Sequence, residues 1–99
     1  MVKHVVLFQL KADMDAALKE DIMLQFKQAI EALPAKIRFI RHIEVGINRN
    51  PSETFDLALV SEFDSMEAVM AYSIHPEHLA AASIIGPYKA ARSCVDYEL

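Results

Sequence analysis

"VKHVVLFQLK", residues 2–11, dictates how the rest of the chain must be arranged. Val and Phe are enriched, and the polar interruptions Lys3, His4 and Gln9 follow no helical period, so the segment reads as a strand. Alternate side chains of a strand point to opposite faces. Val2, His4, Val6, Phe8 and Leu10 therefore share one face, and Val5 and Leu7 lie on the other. Both faces are apolar enough to need cover.

The next segments supply that cover. Between Asp13 and Leu33 the apolar residues Leu18, Ile22, Phe26, Ala29, Ile30 and Leu33 recur at three- and four-residue steps, which predicts an amphipathic helix. Asp13 or Asp15 can cap its start, and Pro34 marks its end. Alternation returns from Ile37 to Asn48, a second strand in which Gly46 suggests a bulge or turn. "NRNPSET" has the composition of a loop, and "FDLALVSEF" (55–63) alternates as a third strand. Asp64 or Ser65 can cap a short helix through Tyr72, and Pro76 suits the first position of another that ends before Gly86 and Pro87. Ser93–Leu99 closes the chain as a fourth strand. Met14, Met23, Met66 and Met70, at helical positions, are expected to fill the core.

The order strand, helix, strand, strand, helix, strand is the ferredoxin-like βαββαβ plan, an α+β fold with a four-stranded antiparallel sheet and its helices on one face. Its other face carries Val5, Leu7, Ala58 and Val60 rather than a fully charged set. Such a face predicts a homodimer packed through the sheets, a dimeric α/β barrel.

Composition narrows the function. Ninety-nine residues make one domain, spanning residues 1–99, and 54% of them are hydrophobic. The mean hydropathy of +0.18 is high for so short a chain, which again points to a partner-covered surface. A net charge of −4 argues against nucleic acid as a ligand. Cys94 is the only cysteine, which excludes an intramolecular disulfide and a Cys-based zinc cluster and fits a reducing compartment. "VVLFQL" is too short, and too soon followed by Lys11 and Asp13, for a signal-peptide core, and no run approaches the ~18 apolar residues of a membrane helix. A cytoplasmic protein is expected, with no membrane contact.

The polar residues with chemical potential cluster in "YSIHPEH", residues 72–78. Tyr72 near the end of one helix and His78 in the first turn of the next can reach the same mouth between helices and sheet. The positive end of a helix dipole disfavours imidazolium, so His78 is expected to be neutral and able to accept a proton. Tyr72 can donate to a carbonyl oxygen on which charge develops. His75 precedes Pro76 and is expected to bond local backbone at the helix start. His75, Glu77 and His78 lack the spacing of a helical zinc site, and no metal is expected. His4, on the helix side of its strand, needs a hydrogen-bond partner or lines a pocket. Cys94 is expected to be inert beside Asp96, and His42 with Glu44 reads as a half-exposed pair at the interface rim.

Five segments, "KHVVLFQLK" (3–11), "EVGIN" (44–48), "FDLALVSEF" (55–63), "YSIHPEH" (72–78) and "VDYEL" (95–99), resemble the stress-responsive α/β-barrel (Dabb) domain along essentially the whole chain. The resemblance implies a ferredoxin-like fold dimerising through its sheets. One member, a plant olivetolic acid cyclase, works without metal or organic cofactor. Its catalytic histidine and tyrosine match His78 and Tyr72, a first-strand histidine matches His4, and a third-strand pocket histidine is replaced by Leu57, which implies a more apolar pocket. The expectation is then a small apolar cavity, lined by His4, Phe8 and Leu57, that binds or transforms a small hydrophobic carbonyl compound by cofactor-free cyclase, lyase or isomerase chemistry at His78 and Tyr72. The alternatives are a non-catalytic dimeric stress or interaction protein and a cofactor-independent monooxygenase.

Overall fold

Residues 1–99 are described by a computed structural model. The elements are β1 (Val2–Leu10), α1 (Ala16–Glu31), β2 (His42–Ile47), β3 (Leu57–Phe63), α2 (Met66–Ser73), α3 (Pro76–Ala82) and β4 (Lys89–Glu98), with short 3₁₀ turns at Leu33–Ala35 and Gly86–Tyr88. All pairings in the sheet are antiparallel and the strand order is β2-β3-β1-β4, the ferredoxin-like plan. β1 lies inside the sheet, between β3 and β4, as its two apolar faces require.

Burial follows the two alternating sets. Val2, His4, Val6, Phe8 and Leu10 are buried on the helix side of β1, together with Leu57, Leu59, Ser61 and Phe63 of β3. α1 covers them with Ile22, Met23, Phe26 and Ile30, and the short α2 adds Val69 and Tyr72. Asp15 caps α1 by accepting from the Leu18 N–H, and Ser65 caps α2 by accepting from Ala68. On the outer face Leu7 is 39% exposed and Val95, opposite Val5, is 63% exposed.

Several boundaries differ from the periodicity. Ile37–Arg41 is not strand: Ile37 N–H donates to Leu33 and Ile40 N–H to Ile37, so the chain turns there and buries Ile37 and Ile40 three residues apart. Over five residues, spacing alone cannot separate that turn from alternation. Gly46 lies in a regular ladder opposite Ala58, at negative φ and with room for a Cβ, so it marks no bulge. The irregularity lies instead between β1 and β4, at Gln9 and Leu10. β4 begins at Lys89, not Ser93. Met66 and Met70 are exposed, because an eight-residue helix has only one face to bury.

β2 is an edge strand, and the free backbone groups of Val45 at its centre are occupied. Lys27 Nζ donates to the Val45 carbonyl (2.6 Å), while the Glu31 carboxylate accepts from the Val45 N–H (3.0 Å) and from Lys27 (2.7 Å). One i,i+4 pair of α1 thus satisfies an exposed rung and blocks strand addition there. Burial pushes the Glu31 carboxyl up, but Lys27 and the Val45 N–H outweigh it and hold it below its ordinary 4.5. Because the folded value is lowered, the stabilisation is present above pH 4.5 and is lost as pH falls through the folded value. Glu31→Ala should accelerate exchange of the Val45 amide and cost about 1 kcal/mol in urea unfolding at pH 7, with the difference from wild type vanishing in acid.

Candidate functional site

The site grows from the junction of α2 and α3. α2 ends at Ser73, and His75 takes the N-cap of α3 in extended conformation, its Nδ1 accepting from the Glu77 N–H (3.1 Å). Pro76 fills the first helical position. This tight connection folds His78 back over Tyr72, their ring centroids 4.3 Å apart and tilted by 42°. His75 is therefore the local helix-start residue that its place before proline suggested.

Tautomer and charge of His78 follow from its partners. Its Nδ1 lies 3.0 Å from the Ser73 carbonyl, which can only accept, so Nδ1 carries the proton and Nε2 keeps its lone pair. Burial lowers its pKa below 6.5, against a smaller upward push from the Ser73 carbonyl, with further lowering from His4, Arg92 and His75. Burial leads these causes, and α3 is only seven residues long, so the expected dipole effect is secondary. Tyr72 is 1% exposed, and its hydroxyl has no hydrogen-bond partner. Burial alone pushes that phenol far above its ordinary range, so it remains a proton donor.

His4 faces the same space from β1. Its ring meets Tyr72 (6.1 Å) and Phe63 (6.3 Å) edge to face, and Nδ1 bonds the carboxylate of Asp96, its direct partner on β4. Cys94 lies beside this pair, Sγ 3.6 Å from His4 Nδ1 and 3.8 Å from Asp96 Oδ2. His4, Cys94 and Asp96 form a converging trio of metal-ligand types. His4 and Asp96 bond each other directly, and burial, then Asp96, raises the Cys94 thiol pKa and keeps it protonated.

A cavity of about 180 Å³ joins these groups. It is lined by His4, Val6 and Phe8 of β1, Leu59 of β3, Tyr72, Ser73, His78 and Ala82 of the helices, Ile85, and Lys89 and Arg92 of β4. Four of the five expected site residues, His4, Phe8, Tyr72 and His78, are brought together here. Leu57 is not: it is buried two residues further along β3, where it borders a larger, more open hollow of about 550 Å³ with Leu7 and Gly46. That hollow holds no imidazole or phenol. Leu59 takes the third-strand place in the site. Lys89 and Arg92 were missed because the composition of "KAARS" does not announce a strand; their pairing with Leu10 and Phe8 does. His42 and Glu44 form an exposed 3.1 Å pair on the outer face, far from this chemistry in the sheet order.

A four-stranded antiparallel sheet with helices on one face and a cavity between them places the chain among the ferredoxin-like α+β domains. More narrowly, the family model described as the stress responsive A/B barrel domain (Dabb) matches residues 2–99, and the chain belongs to that family. A dimeric ferredoxin-like protein of unknown function from Bacteroides fragilis is 55% identical, with a TM-score of 0.98 over 99% of this chain and 95% of its own. A second dimeric ferredoxin-like protein of unknown function, from Thermobifida fusca, is 26% identical, with a TM-score of 0.78 over 99% and 90% of the two chains. A hydroxynitrile lyase from Passiflora edulis, 18% identical with a TM-score of 0.70 over 97% and 90%, shares the fold. No curated protein sequence matches the chain.

A buried donor left without any partner costs roughly 1–3 kcal/mol, and the Tyr72 hydroxyl has none within the chain. Tyr72→Phe should leave the midpoint of thermal unfolding unchanged or raise it; a clear loss of stability would mean that the hydroxyl has a structural partner.

Proposed function

We propose that the protein binds and transforms a small carbonyl compound by acid–base chemistry on its own side chains. His78 Nε2 takes the proton from the carbon next to the carbonyl, and Tyr72 donates a hydrogen bond to the oxygen on which the negative charge collects. The resulting enolate is reprotonated at another carbon, closes on a second carbonyl, or expels a leaving group, which are the isomerase, cyclase and lyase outcomes of one first step. His4, fixed by Asp96, orients the substrate. The observation that carries this reading is the contact of a neutral imidazole, its Nδ1 committed to Ser73, with a buried phenol that has no partner of its own, inside one cavity. The Passiflora lyase demonstrates that the fold admits a lyase, although a fold does not carry a reaction with it.

A non-catalytic interaction protein would be expected to pack this space solid, and the cavity favours the enzyme or binder. No helix is long and apolar enough to cross a membrane, which fits the cytoplasmic location we assign. Thermal-shift screening of small ketones, aldehydes and enolisable acids should find compounds that raise the unfolding midpoint of wild type but not of His78→Ala. If every stabilising compound acts equally on both proteins, His78 has no part in the site. Since the active form is the neutral imidazole and its pKa is lowered, binding and turnover should persist down through pH 6.5 and fall only below it.

The outer face is the other half of the reading. Val5, Leu7, Ala58, Val60, Val95 and Tyr97 face away from the helices, and similar proteins are described as dimeric. We assign a homodimer packed through these faces, with the cavity of each subunit left on the helix side. Val95→Asp should shift the protein from dimer to monomer in sedimentation velocity; a monomeric wild type would refute the assignment.

A further inference from the structure

We propose that the ligand of this cavity is an anion: a small oxo acid whose carboxylate is held by Lys89 and Arg92 at the mouth while its carbonyl points in toward Tyr72 and His78. This rests on the acid–base reading above and names its substrate class.

The sheet register is the first support. From Val2↔Glu98 to Gln9↔Ala91 the β1–β4 ladder is regular, and its continuation would place Ala90 opposite Leu10. Instead the register shifts and Lys89 stands opposite Leu10, a residue of the helix-side face. The bulge thereby turns Lys89 onto the same face as Arg92, which stands opposite Phe8. Both side chains accordingly line the cavity. A regular strand would have sent Lys89 to the opposite face.

Charge is the second support. The chain is acidic, with a net charge of −4, yet no Asp or Glu lines this cavity. Five of the ten lysines and arginines make ion pairs within the chain; Lys89 and Arg92 do not, and of the five unpaired cations they are the two that line the cavity. The nearby acid, Asp96, is engaged by His4. Arg92 reaches toward the Cys94 thiol, a neutral group. Two like charges set on one face beside an apolar hollow repel one another unless an anion lies between them, and a guanidinium presents a fork that matches a carboxylate. The interior of about 180 Å³ equals roughly six water volumes, so the part of the ligand inside is small.

The test compares acetoacetate, 2-oxobutanoate and levulinate with their methyl esters, which keep the carbonyl and lose the charge. Binding is read by titration against the full-length protein, with the His78 ring resonances as reporter of site occupancy. At least one acid should bind about tenfold more tightly than its ester, more weakly as salt is raised, and the Lys89→Gln/Arg92→Gln double variant should erase that preference while ester binding survives. Esters that bind as well as the acids, or a preference that persists in the double variant, overturn the anion and leave the acid–base site standing. If neither acids nor esters perturb His78, the oxo-acid proposal and the site reading fall together. If the double variant is poorly folded, Arg92→Lys serves instead: it keeps the charge and should lose only part of the preference.

Discussion

A histidine on an inner strand of the sheet has to be satisfied before helices can close over it. His4 is 7% exposed, and a buried imidazole without a partner would cost a large share of a small domain's stability. Asp96 meets that need from the directly opposite position of β4, and Ser61 on the other neighbouring strand donates its hydroxyl to the His4 carbonyl. A one-residue slip of β4 would turn Asp96 to the outer face and strand the imidazole. The polar pair therefore specifies the β1–β4 register, and everything at the far end of that ladder, including the bulge and the two cations beyond it, is positioned by it.

The four histidines show how little residue type decides by itself. His42 is exposed against Glu44, His75 caps a helix, His4 is pinned by a carboxylate, and His78 is held neutral over a tyrosine. Only the last combines a free lone pair with an unpartnered donor beside it. That donor has no hydrogen-bond partner within the chain, although Phe would fill nearly the same volume. Local imperfection of this kind, set inside an otherwise well-satisfied core, is where function is most economically sought.

Much of this was legible from residue patterns. The alternation in 2–11 separated the buried set from the outer set correctly, the order of segments implied the topology, and the Tyr72–His78 spacing across a proline implied their meeting. What pattern could not convey was register. The bulge that redirects Lys89 leaves no mark in "KAARS", whose alanines and lysine carry no strand preference and become strand only because β1 offers its free edge. The same blindness explains Leu57: it and Leu59 share a face, and alternation cannot say which of the two borders the cavity. Ile37 and Phe39 about Arg38 likewise imitate the start of a strand, while the backbone hydrogen bonds of Ile37 to Leu33 and of Ile40 to Ile37 make the segment a turn.

The period of two along these strands also divides the labour of the domain. One set of side chains builds the interior, and the other, with apolar residues such as Val5, Leu7, Ala58 and Val60 among it, stays open on the far side of the sheet. This arrangement keeps the cavity independent of the outer face: its walls come from the inner set, α2, α3 and the start of β4. The proposed association would then stabilise the sheet without narrowing the cavity, and the cations at its mouth, both exposed, would stay open to an anion arriving from water.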